Sequence, residues 1–109
     1  MISKSQRLGR KAFTEAFKRG RRRTLPFFLV IQDNSQAKAH FAVVVPKKIA
    51  KTAVLRNKIR RRMYEAIRRS PLVGASGAFI FVCRKGIEDK GGAELDVFLK
   101  TLANQMSII

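Results

Sequence analysis

The chain has no tryptophan, one cysteine, one histidine and only seven acidic residues against 24 lysines and arginines. Each scarcity removes a class of function. With Cys83 alone, no intramolecular disulfide can form and no cysteine pair can hold zinc. His40 stands without an assignable catalytic partner, because the acids are scattered and no Ser or Cys can be matched to it as a nucleophile. It reads as a solvated residue at a strand start and is given no role. The seven glycines fall singly or in short connectors, so no Gly-rich phosphate loop of the Walker or dinucleotide type is present. No apolar run approaches the ~20 residues that cross a bilayer, and the first residues lack the apolar block of a secretory signal. Cys83 ends the apolar run 78–83 and reads as a buried thiol in a reducing compartment. The expectation is a cytoplasmic protein with no membrane partner, no small-molecule substrate, no metal ligands and no catalytic residue of its own.

What is present is apolar and cationic. A hydrophobic content of 46% with eight phenylalanines excludes global disorder, and 109 residues suffice for one domain, 1–109, with a single modest core. A net charge of +17 would make that compact state self-repelling without an anionic partner. The charge is uneven: residues 1–23 hold nine Lys or Arg, residues 46–69 hold ten, and only five lie elsewhere. From Ile87 onward four acids face two bases, so the C-terminal part reads as scaffold and binding belongs upstream.

Residues 53–69 read as a helix, with Thr52 as N-cap and Ser70-Pro71 as its stop. At about 100° per residue, Leu55, Ile59, Met63, Ala66 and Ile67 form one apolar stripe. Asn57, Arg61, Tyr64 and Arg68 point the opposite way, with Arg56 and Arg60 on one shoulder and Lys58, Arg62 and Arg69 on the other. Seven cations between Arg56 and Arg69, offset only by Glu65, repel one another by some tenths of a kcal/mol per neighbouring pair. A merely solvated helix face is a poor account of that density, and an external polyanion is a good one. A membrane-surface helix would need a broader apolar stripe with Trp or Phe.

Elsewhere, residues 9–19 read as a short helix with Phe13 and Phe17 on one face and Gly20 as its stop, followed by a basic hinge at residues 21–23. Residues 27–32 and 40–45 read as strands, expected to pair antiparallel through turn residues Asp33, Asn34 and Ser35. In the second strand Phe41, Val43 and Val45 share a core face, leaving His40, Ala42 and Val44 on a small, accessible one. Residues 78–84, apolar on both faces, read as an internal strand. A last helix over residues 93–106 presents Leu95, Phe98, Leu99, Leu102 and Met106 at helical spacing, with Glu94 and Asp96 in its first turn. The class is α+β, an α-β sandwich of order αββαβα with room for one further short strand. Phe13 and Phe17, set among Lys11, Lys18, Arg19 and the arginines at 21–23, serve either as core anchors or as stacking platforms for single-stranded RNA.

The segment VVVPKKIAKTAVLRNKIRRRMYEAIR resembles the RNR-motif segment of the bacterial ribonuclease P protein subunit, and AFTEAFKRG at residues 12–20 is similar to the F-x-x-x-F-[KR]-x-G element of that family. The strand FFLVI, the strand FIFVCRKG and the closing helix follow in the family's order, so nearly the whole chain is covered. The resemblance implies a protein that binds the catalytic RNA subunit and the 5′ leader of precursor tRNA. The RNA would remove the leader, with Mg2+ held mainly by RNA and substrate. It assigns RNA-subunit binding to Lys47, Lys48, Lys51, Arg56, Asn57, Lys58, Arg60 and Arg61, and leader binding to Phe13, Phe17, Lys18, Arg56 and Asn57. It also implies a left-handed βαβ crossover, against the usual hand. RNR is RNK here, so Lys58 keeps the charge without the planar fork; SKK is PKK; Arg62 and Tyr64 replace a Leu and an Arg; one extra residue lies between KKI and RN; and Ile31 stands where some members carry tyrosine. Two competing readings explain the charge as well: a ribosomal or ribosome-assembly protein that binds rRNA with no role in cleavage, and a DNA-binding protein with a groove helix.

Overall fold

The computed structural model describes residues 6–34 and 38–106. Its elements are α1 (Arg10–Arg19), β1 (Arg21–Thr24), β2 (Phe28–Asp33), β3 (His40–Val44), α2 (Ala53–Arg69), β4 (Ala78–Cys83) and α3 (Gly92–Gln105), with 3-10 turns at Pro71–Gly74 and Ile87–Asp89. The class and order are those expected, with one added strand. Residues 21–23 are not a hinge: with Thr24 they form β1, paired antiparallel with β2 from Arg21 opposite Gln32 to Thr24 opposite Leu29.

The sheet order is β1-β2-β4-β3. The expected antiparallel pairing of β2 with β3 is therefore wrong. The two strands run in opposite directions, but β4 lies between them, antiparallel to β2 and parallel to β3. Local alternation sets which face a residue takes and says nothing about which strand becomes its neighbour. The near-continuous burial of β4 is the mark of that central position. The β3–α2–β4 segment is thus a βαβ unit joining adjacent parallel strands. Of the turn expected at residues 33–35, Asn34 is in a turn, and Ser35 lies outside the described residues.

Two layers of side chains flank the sheet. Phe28, Val30, Phe41, Val43, Phe79, Phe81 and Cys83 pack with Ile59, Met63, Ala66 and Ile67 of α2 and with Leu95, Leu99, Leu102 and Ala103 of α3. On the other face Ala16 of α1 packs with Ile31, Ala78 and Ile80, and Phe13, Leu29, Ala42, Val44 and Val82 are half-buried around them. The face division expected for β3 is present, with Phe41, Val43 and Val45 in the larger core. Gly20 makes the close α1–β1 turn possible: a Cβ there would lie 2.5 Å from Ile31 Cγ2 and 2.6 Å from the Ala16 carbonyl oxygen.

Helix α2 begins and ends where its sequence signals place it. Thr52 Oγ1 accepts the Leu55 amide at 3.1 Å, and Ser70 Oγ donates to the Ile67 carbonyl and accepts the Leu72 amide. Two side chains depart from the helical-wheel reading. Leu55 is exposed, as is Val54 beside it in the first turn of α2. Tyr64, expected to face outward, is buried, and its hydroxyl accepts the Val43 amide of β3 at 3.3 Å. Leu8 donates its amide to the Phe41 carbonyl at 2.8 Å, so the outer edge of β3 has its polar groups met by α2 and the N-terminal segment.

Candidate nucleic-acid interface

The loop between β3 and α2 is held from both ends. Its Ile49 and Ala50 amides donate to the Pro46 carbonyl at 3.0 and 3.3 Å, and Ala50 is buried in the core. From the helix side, Arg56 Nη1 donates to the carbonyls of Ala50 and Lys51, each at 3.0 Å. Anchoring the apolar residues leaves Lys47, Lys48 and Lys51 exposed. Arg56 is thus half-buried and spends part of its guanidinium on shaping the loop.

One turn further along, Arg60 Nη1 donates to Asn57 Oδ1 at 2.6 Å. Asn57, Arg60 and Arg61 line a groove of about 360 Å3 with Tyr64 and Arg7, and the Arg7 guanidinium sits 5.6 Å from the Tyr64 ring centroid. Arg7 lines this groove although no motif in the chain marks it. Its place depends on the bridge it makes to Phe41, a long-range contact that spacing does not reveal. Lys58 is exposed on the same helix but does not line this groove.

The acids lie elsewhere. Glu15 and Asp33 pair with Arg19, Glu65 with Arg68 and Arg69, Asp96 with Arg69, and Glu94 with Lys90. No ion pair among the described residues reaches Lys47, Lys48, Lys51, Arg56, Lys58, Arg60 or Arg61. The α2 N-terminal half and its loop therefore keep their positive field uncompensated.

On the opposite face of the sheet, α1 supplies the aromatic pair. Phe13 and Phe17 stack with centroids 5.9 Å apart. Phe13 is half-buried against the Ile31–Ile80 cluster, whereas Phe17 is 43% exposed. The two rings differ: Phe13 anchors α1 against the sheet, and Phe17 leaves a ring face exposed. Lys18 is exposed next to it, and Arg22 lies over the Phe17 ring at 5.0 Å while donating to the Phe17 carbonyl. The rest of this sheet face opens into a groove of about 600 Å3 with a floor of Leu29, Val82 and Ile49 and a rim of Lys48, Arg84 and Lys85. Arg84 and Lys85 are further cations here, signalled only by a basic pair at the end of an apolar strand. No bond or ring contact among the described residues joins Arg56 or Asn57 to Phe13, Phe17 or Lys18.

Catalytic and metal-binding groups are scarce. Among the described residues no cluster of three or more His, Cys, Asp or Glu could hold a metal ion, and no helix there is long and apolar enough to cross a membrane. Burial pushes the Cys83 thiol up to about 12, with the positive charge of Arg60 opposing the shift, so it stays protonated and unreactive at neutral pH.

A cation-rich helix and loop, an exposed aromatic beside an open sheet face, and a βαβ unit between parallel strands are now located in one fold. A family model described as Ribonuclease P matches residues 2–107. The chain belongs to the ribonuclease P protein family. It is 27% identical over 96 residues to the ribonuclease P protein component of Aliivibrio salmonicida (strain LFI1238), covering 87% of this chain and 82% of that one. The same component of Aliivibrio fischeri (strain ATCC 700601 / ES114) is 28% identical over 92 residues, 84% and 79% of the two chains. Among solved structures, the RNase P protein of Thermotoga maritima superimposes with a TM-score of 0.72 at 25% identity, over 87% of this chain and 96% of that one. The Staphylococcus aureus RNase P protein gives 0.74 at 21% identity, over 92% and 93%. The four-stranded sheet flanked by helices is the fold of these ribonuclease P proteins. Membership in this family favours the accessory-subunit reading over that of a ribosome-assembly protein or a DNA-binding protein.

Proposed function

We propose that this chain acts as the protein subunit of ribonuclease P, binding the catalytic RNA subunit through the β3–α2 loop and the N-terminal half of α2, and the 5′ leader of precursor tRNA through α1 and the open sheet face. The observation that carries the reading is the separation of charge: Glu15, Asp33, Glu65, Glu94 and Asp96 are held in ion pairs elsewhere, while the loop and the N-terminal half of α2 keep exposed cations without acid partners among the described residues. Lys47, Lys48, Lys51 and Lys58 supply point charges, and Asn57, Arg60 and Arg61 present fixed donors in the groove with Arg7. Arg56 contributes chiefly by holding the loop that carries the lysines. Phe17 offers a ring face to a leader base, with Lys18 and Arg22 near the adjoining phosphates. Phe13 supports that ring from behind, and Arg56 and Asn57 would be shared between leader and RNA subunit.

In this role the RNA carries the cleavage chemistry, with Mg2+ held by RNA and substrate phosphates rather than by carboxylates of this chain, in the cytoplasm where tRNA is matured. Neutralising repulsion between RNA subunit and precursor lowers the Mg2+ that assembly requires. Reconstitution of the protein with a bacterial ribonuclease P RNA at low Mg2+ tests the proposal. Precursor tRNA cleavage should rise strongly on adding the protein, and the rise should shrink for an Arg60→Gln/Arg61→Gln variant. Absence of any gain with the wild-type chain would overturn the reading.

A further inference from the structure

Arg21, Arg22 and Arg23 occupy an edge strand, and their side chains alternate across the sheet. Arg22 stands opposite Ile31, on the α1 face, against Phe17. Arg21 stands opposite Gln32 and Arg23 opposite Val30, and Val30 belongs to the core under α2 and α3. These two arginines therefore leave the sheet on the α3 side. With Arg22, Val30, Gln32, Gln105 and Met106 they line a groove of about 380 Å3 whose lining holds no carboxylate among the described residues. Neither guanidinium makes a hydrogen bond or ion pair among the described residues.

We infer that this groove holds the distal part of the RNA leader, which passes from Phe17 over the free β1 edge and is gripped there by its phosphates. The inference rests on the leader reading given above and extends it to the far face of the sheet. Three observations support it. Arg22 makes the basic track continuous, since the cation stacked on Phe17 is flanked on the same strand by the two that face the groove. Residues two apart on a strand are about 6.8 Å apart, close to the spacing of successive phosphates along an extended RNA strand, so Arg21 and Arg23 can take neighbouring phosphates. The loop and helix assigned to the RNA subunit adjoin β3, the opposite edge of the sheet, so the leader is the RNA that arrives at β1. Gln32 and Gln105 add uncharged donors and acceptors suited to ribose hydroxyls.

The ordinary alternative is that arginines on an edge strand only block edge-to-edge pairing. Equilibrium binding by the reconstituted holoenzyme, under non-cleaving conditions, separates the two. Two precursor tRNAs are compared, one with a leader just long enough to reach Phe17 and one several nucleotides longer, with wild-type protein and with Arg21→Gln/Arg23→Gln. The longer leader should bind more tightly to the wild-type holoenzyme, and its affinity should fall more steeply with salt, the log–log slope being larger by about 1.4 for two single-strand phosphates. Both differences should vanish in the double variant and return with Arg21→Lys/Arg23→Lys, while the short leader binds all three alike. A double variant that keeps the full long-leader gain, or that loses it only through unfolding or self-association of the free protein, overturns the inference. A wild-type holoenzyme that distinguishes precursor from mature tRNA yet gains nothing from the longer leader overturns it alone, whereas indifference to any leader removes the leader reading first.

Discussion

Burial decides the chemistry of Cys83. Its thiol is raised from an ordinary value of 9.0 to about 12 because β4 is central and α2 covers it, which removes water from the thiolate. In the unfolded chain the thiol loses its proton near pH 9, while the folded protein keeps it until about pH 12. Between those values the unfolded state binds fewer protons, so the stability that Cys83 contributes is full below pH 9 and is lost as pH rises toward 12. Urea titrations on either side of pH 9 should show a smaller alkaline loss of stability in Cys83→Ala than in the wild type; an identical loss would mean that the burial of Cys83 does not set the alkaline limit. Gly20 has a different demand on it. Its φ of −66° is ordinary, so the constraint is space and not backbone conformation. Gly20→Ala pushes a methyl group against Ile31 and the Ala16 carbonyl oxygen and should cost about 1 to 3 kcal/mol. Gly74→Ala, with open space at its Cβ, should be close to neutral by the same measurement. The thiol's burial was legible from the apolar run around it, but this contact was not, since Gly20 read only as a helix stop. It arises from packing across eleven positions of sequence, between Gly20 and Ile31.

At the scale of elements, legibility tracked how local the determining forces are. Helix α2 was readable to its ends because its cap, its apolar period and its Ser-Pro stop all act within a few residues. The faces of β3 were readable because alternation is local as well. The insertion of β4 between β2 and β3 was not, since the crossover through α2 decides it. Strand β1 was missed because RRRT has no apolar alternation and is a strand only by virtue of its partner. Tyr64 was misplaced because a wheel angle says nothing of a hydroxyl that can satisfy an edge-strand amide. The candidate site divides the same way: the loop lysines and the α2 cations lay in one motif, whereas Arg7, Arg84 and Lys85 come to the site through the fold. The cap offers a test of how firmly the loop and helix are joined. Thr52→Ala removes the acceptor for the Leu55 amide and should lower stability by about 1 kcal/mol. It should also weaken binding to ribonuclease P RNA without removing any charge, because Arg56 and the loop carbonyls it holds sit on that first turn. RNA affinity equal to wild type would mean that the loop is set by Arg56 alone.

The whole molecule carries +17 on 109 residues, and the same charge has two consequences of opposite sign. For the free protein it is a self-repulsion that the few ion pairs among the described residues relieve at α1, the end of α2 and α3. For the complex it is the attraction, because each phosphate neutralised releases counterions. Adding salt should therefore stabilise the isolated protein, read as a rising urea midpoint, while it weakens RNA binding. If six to ten phosphates are engaged, affinity for the RNA subunit should fall on the order of 10³ to 10⁵-fold between ~50 and ~200 mM salt. Arg60→Gln/Arg61→Gln should reduce the steepness of that fall and also raise the low-salt stability of the free protein, since it removes repulsion from a face whose cations have no acid partner among the described residues. A variant that loses RNA affinity but gains no stability would place the compensating anion within the protein, and the uncompensated field on α2 would then not be what draws the RNA.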